Sequence, residues 1–119
     1  EHVHDPLLAW ARWLAAVKSG GYLLVMVPSW VHYEREVWPS RYNADHKTSW
    51  DIVSPVNPPP QHPHYDYPRI VRMGKQAGLT LTDLRIELDG FHWEKMYDKE
   101  WDTTQHGGMA QLCMVFAKI

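Results

Sequence analysis

The chain has 119 residues, 45% of them apolar and 22% charged, which suits one domain with a core of its own and excludes a long multidomain assembly. Twelve Lys and Arg against fourteen Asp and Glu give a net charge of −2 with no basic run, arguing against a nucleic-acid or anionic-membrane surface. A single cysteine, Cys113, excludes an internal disulfide and a cysteine-based zinc site; no apolar segment is long enough to span a membrane, the start does not read as a signal peptide, and the cytoplasm is the expected compartment.

In chain order, Asp5-Pro6 starts a helix: the carboxylate caps the open N–H groups of the first turn, and proline fits the first helical position. Leu7, Ala11, Leu14 and Val17 share one face, Lys18 suits the negative end of the helix dipole, and Gly20 supplies a left-handed stop. Tyr22 to Pro28, "YLLVMVP", follows almost at once. An apolar run without alternation predicts a strand covered on both faces, as in a parallel sheet.

Residues 29–66 then form a long loop rich in proline and aromatics, with six prolines, three of them consecutive at Pro58-Pro59-Pro60. Tyr67-Pro68 opens a second helix through Ile70, Val71, Met73 and Ala77, stopped by Gly78. In "LTLTDLRIEL" Leu79, Leu81, Leu84, Ile86 and Leu88 alternate as in a strand, with a slip near Asp83. Thr103 to Gly108 reads as a turn, and "AQLCMVFAKI" as a final strand of buried character with an inert thiol. The order helix–strand–loop–helix–strand–loop–strand predicts an α/β fold with a layered sheet, and 1–119 as a single domain.

Seven Trp and six Tyr point to core and interface packing before ring binding. Glu1, His2 and His4 have ligand-like spacing, repeated by His62-Pro63-His64, but neither set has a third strong ligand on a fixed element, so no metal is assigned. Arg41, Asn43, Asp45, His46 and Lys47 crowd the stretch between Trp38 and Trp50. Two readings apply. One is a recognition loop in which Arg41 holds an anionic group and His46 serves as acid or base; in the other Asn43 and Asp45 cap turns while Trp38 and Tyr42 pin the loop. Glu94, Lys95, Asp98, Lys99, Glu100 and Asp102 alternate charge around Tyr97 and Trp101, as in a solvated hairpin or loop.

The stretch "EHVHDPLLAWARWLAAVKSGGYLLVMVP" resembles the middle of a class I, Rossmann-like S-adenosylmethionine-dependent methyltransferase of the type 11 kind. Its features are Glu1-His2, the helix from Asp5, the turn Lys18-Ser19-Gly20-Gly21 (where the family usually has Pro in place of Ser19) and the run from Tyr22 to Pro28. "YEREVWPSRYNADHKTSW", Tyr33 to Trp50, and "WDTTQHGGMAQLCMVFAKI" resemble one subgroup of that family. The resemblance covers the whole chain but only the C-terminal half of the family's domain. It implies that Glu1 and His2 line the reaction cleft and touch cofactor only in a completed domain. It also implies His2 and His46 as catalytic candidates, with Tyr33, Trp38, Arg41, Asn43 and Asp45 as substrate-binding residues.

The resemblance further implies a partial sheet made of the family's fifth, seventh and sixth strands in that spatial order, the last in sequence running antiparallel between its neighbours. The Gly-rich turn that cradles the cofactor is missing, because Gly20-Gly21 ends a helix and Gly107-Gly108 precedes a last strand. The leading expectation is therefore a methyltransferase fragment, opening at a loop-to-helix junction, that binds no S-adenosylmethionine and is inactive alone. Alternatives are an active subunit completed by a partner chain, and a non-enzymatic dimeric module for a small ligand. The strand Tyr22–Val27, left with an open apolar edge, predicts a homodimer.

Overall fold

The structure, a computed structural model, describes residues 1–54, 62–98, 100–105 and 107–119. The triple proline Pro58-Pro59-Pro60, Lys99 and His106 of the expected turn lie outside the described residues. The elements are α1 (Pro6–Ala16), β1 (Tyr22–Pro28), β2 (Ser49–Trp50), β3 (His64–Tyr65), α2 (Tyr67–Gln76), β4 (Thr80–Glu87), a 3-10 turn at Trp93–Lys95 and β5 (Gln111–Ala117).

Asp5 caps α1 by accepting from Leu8 N at 3.1 Å, with Pro6 in the first turn. The buried stripe differs from the expected one. Pro6 and Trp10 are buried and Leu14 packs against the core, whereas Leu7 and Ala11 face solvent. Trp10 is the anchor: its indole stacks 6.2 Å from Trp50 and meets Phe116 edge-on at 4.6 Å, while the other indole of the helix, Trp13, stays exposed. Lys118 Nζ donates to the carbonyls of Leu14 at 2.9 Å and Val17 at 2.7 Å, tying the last strand to the first helix.

β1, β5 and β4 form one sheet in that order, with β5 antiparallel to both neighbours. This is the expected order of three strands, with the last in sequence at the centre. The slip near Asp83 is a bulge: Leu81 sits opposite Phe116 and Asp83 opposite Val115. Val25, Val27, Leu112, Met114 and Phe116 point to one face, where Trp10 of α1, Ile70 and Met73 of α2, and Ala77 just past its end cover them. Asp66 caps α2 through Arg69 N. Gly74 lets α2 settle onto the sheet, since a Cβ there would lie 2.7 Å from Phe116 Cε1.

The expectation that Tyr22–Pro28 is covered on both faces beside a parallel partner is overturned. β1 pairs only with antiparallel β5, and its burial alternates: Val25 and Val27 are buried while Tyr22, Leu24 and Met26 are exposed. Apart from the bridge of Ser29 to Trp50 past its carboxyl end, its second edge has no strand beside it among the described residues, and Trp13 of α1 shares a shallow pocket with Leu24 and Met26. Across the outer face the stripe runs from Met26 over Cys113 to Arg85, which pairs with Asp83 and Glu87. Cys113 is buried, and burial raises its thiol pKa, in keeping with an inert group.

The 29–66 segment is more built than a plain loop. β2 and β3 pair in parallel, Ser29 bridges Trp50, and Trp50 stacks on Tyr65 at 4.2 Å inside the core. A second small core joins Phe91, Trp101 and Ala110 with Tyr33, Leu88 and Met96, while Glu94, Lys95, Asp98 and Glu100 around it are exposed, as expected. Among the described residues no helix is long and apolar enough to cross a membrane.

Candidate functional site

The turn after β1 begins with a buried carboxylate. Asp51 accepts from Ser29 Oγ at 2.8 Å, from Val31 N at 3.0 Å and from Ile52 N at 2.7 Å. This fixes Ser29, whose carbonyl accepts from Tyr33 N and Glu34 N, and the turn swings Glu34 inward. Arg35 and Glu36 follow with φ of 56° each, a left-handed pair held by Arg35, which donates to the carbonyls of Met96, Asp98 and Trp101.

Glu34 is 1% exposed and His46 5%, and Oε1 of the first is hydrogen-bonded to Nδ1 of the second. The other oxygen, Glu34 Oε2, is buried without a partner. The N-terminal segment meets this pair. Glu1 O accepts from Lys47 N at 2.6 Å and Thr48 N at 3.3 Å, which places the Glu1 and His2 side chains over His46. His2 Nδ1 lies 3.0 Å from Asp45 Oδ2, His2 Nε2 lies 3.3 Å from Glu1 Oε1, and the His2 and His46 rings meet edge-on at 4.9 Å. Lys47, 2.9 Å from Asp45, and His2 lower the Asp45 pKa. Tyr33 stacks 6.1 Å from His46 and meets Tyr42 edge-on; burial, then the negative charge of Glu34, raises its phenol pKa.

Of the expected site residues, the structure brings together Glu1, His2, Tyr33, Asp45 and His46. Asn43 serves the turn instead, accepting from Asp45 N at 3.0 Å. Trp38 lies elsewhere, stacked on His62 at 3.6 Å. Arg41 reaches over the Tyr42 ring and lines a groove of about 620 Å³ shared with Arg35, Val37 and Tyr97. His4 stays exposed, and His62 and His64 share the Ser49 hydroxyl at 2.7 and 2.6 Å. Glu34 is the residue that sequence reasoning missed. The only signal for it was its place beside Tyr33 in the quoted block.

One tempting constellation fails on geometry. Ser29, His32 and Asp51 are within hydrogen-bond reach, but Asp51 holds the serine rather than the imidazole, and Ser29 is fully buried. Searches of protein-family models, curated proteins and solved structures found no match to this chain.

Proposed function

We propose that this chain is the acceptor-side half of a class I S-adenosylmethionine-dependent methyltransferase domain, inactive without the half that carries the cofactor. The observation that supports it is the sheet: a helix–strand unit, a second helix–strand unit, and a last strand inserted antiparallel between them in the order β1–β5–β4. The polar cluster of His2, Tyr33 and His46 gathers beyond the carboxyl end of β1, where open α/β sheets hold their ligands. In a completed domain His2 and His46 are the residues placed to orient an acceptor or take its proton.

The residues present do not fit the cofactor itself. Gly108 is needed because a Cβ would come within 2.3 Å of Gly90 O, and Gly21 because one would meet Lys18 O at 2.9 Å. Both close approaches are to the chain's own backbone rather than to an open cradle. Titration calorimetry with S-adenosylhomocysteine tests this. The isolated chain is expected to give no saturable heat, and binding by it would overturn the fragment reading. A strand–Gly-rich turn–helix segment supplied in the same polypeptide or by a partner chain is expected to create binding; binding gained only with the partner selects the two-chain enzyme. A dimeric small-ligand module is the second reading, supported by the groove beside Arg35 and Arg41. In that case a ligand screen should give hits that Arg41→Ala abolishes.

A further inference from the structure

The polar cluster holds more than an acid–base pair. One donor atom each from Glu1, His2 and His46 lies within 4.8 Å of the other two. Nδ1 of each imidazole is already engaged by a carboxylate, His46 by Glu34 and His2 by Asp45. A carboxylate only accepts, so each neutral ring carries its proton on Nδ1 and keeps a lone pair on Nε2. A carboxylate behind an imidazole is the usual outer support of a metal-ligating histidine, fixing its tautomer and raising its basicity. Here both histidines have one.

The charges point the same way. His2 Nε2 and Glu1 Oε1 face each other at 3.3 Å, an approach that a proton on the ring or a metal ion between the two atoms would satisfy. That separation is about the edge of a tetrahedron with metal–ligand bonds of about 2.0 Å. Glu34 is buried with Oε2 unpartnered among the described residues, so its charge calls for a positive charge on the imidazole it holds, which a proton or a metal ion on the far nitrogen supplies. Three carboxylates surround the two rings, and Lys47 offsets that of Asp45.

We infer that Glu1, His2 and His46 bind one divalent transition-metal ion through a carboxylate and two Nε2 atoms, with Glu34 and Asp45 as supporting partners. Two imidazoles and one carboxylate suit Zn²⁺, Co²⁺ or Fe²⁺ and disfavour Mg²⁺ and Ca²⁺, which take oxygen donors. Three protein ligands leave a position for water or a ligand oxygen. The inference stands apart from methyl transfer, and a negative result with S-adenosylhomocysteine does not touch it.

The test uses the tag-free 119-residue chain, stripped with a chelator and titrated with Zn²⁺ by calorimetry and with Co²⁺ by visible absorption. One equivalent per chain is expected, with ligand-field bands of nitrogen and oxygen donors. His2→Gln and Glu1→Gln, both away from the core, should each weaken binding at least about tenfold, and Asp45→Asn about tenfold through the support it gives His2. Circular dichroism on each variant checks that the fold is kept. The double variant His62→Gln/His64→Gln should bind as the parent does. No saturable binding, unchanged affinity in both His2→Gln and Glu1→Gln, or loss confined to the His62/His64 variant would overturn the assignment.

Discussion

His62 carries the clearest titration signature among the single residues. It is stacked under Trp38 and hydrogen-bonded to Ser49, and burial, then the charge of neighbouring His64, drives its pKa down to about 4. Burial lowers His64 and His32 in the same direction. An unfolded imidazole titrates near 6.5, so as pH falls the unfolded chain takes up protons that the folded one refuses. Stability should therefore be level above about pH 6.5 and decline toward pH 4. Urea unfolding at pH 7 and pH 5 is expected to show a lower midpoint at pH 5, with the drop reduced in His62→Asn; equal midpoints would remove the argument. At this scale the sequence displayed Glu1, His2, Asp45 and His46 but not Glu34. A carboxylate meets a particular histidine only after the turn at 29–34 has been set by Asp51, a residue distant in sequence, and no local pattern encodes that.

Helices and strands were legible because their signals are local. Asp5-Pro6 and Asp66-Tyr67-Pro68 announce their caps, and the broken alternation at Asp83 announces the bulge. The rotation of α1 was not legible, since leucine and alanine spacing says nothing of where Trp10 finds Trp50 and Phe116. The short pairing of β2 with β3 was equally hidden, being too brief to leave a period. Gly74 offers a test at this scale. Replacing it with Ala would ordinarily strengthen a helix by about 1 kcal/mol, but the new methyl would collide with a fully buried Phe116 ring, and overpacking costs about 1–3 kcal/mol. The second effect is the larger. Gly74→Ala is expected to lower stability by about 1 kcal/mol in chemical denaturation, and a gain would mean that α2 can lift off the sheet.

The whole molecule has helices on one face of its sheet and an apolar strip, Tyr22–Leu24–Met26, on the other, beside an edge without a strand partner among the described residues. We propose that two copies pair these edges about a two-fold axis into a six-stranded sheet. Burying what remains exposed of those side chains contributes about 1 kcal/mol each, and association costs several, so the dimer belongs in the micromolar range. Sedimentation should give twice 14.0 kDa at tens of micromolar, and Leu24→Lys should sediment as a single copy. A wild-type monomer at those concentrations would refute the pairing. The strand order was expected from a resemblance rather than from periodicity. The bare outer face of β1 was misjudged, because an unbroken apolar run does not reveal how many of its sides the fold covers.

β1 and β4 touch only through β5, and β5 comes last in the chain. These three strands can therefore join only after β5 has been made. Until then the Leu-Leu-Val-Met-Val segment lacks its β5 partner, and the clasp of Lys118 on α1 completes only once β5 is in place. Shortening the polypeptide at its C-terminus would remove the strand that makes the sheet a sheet.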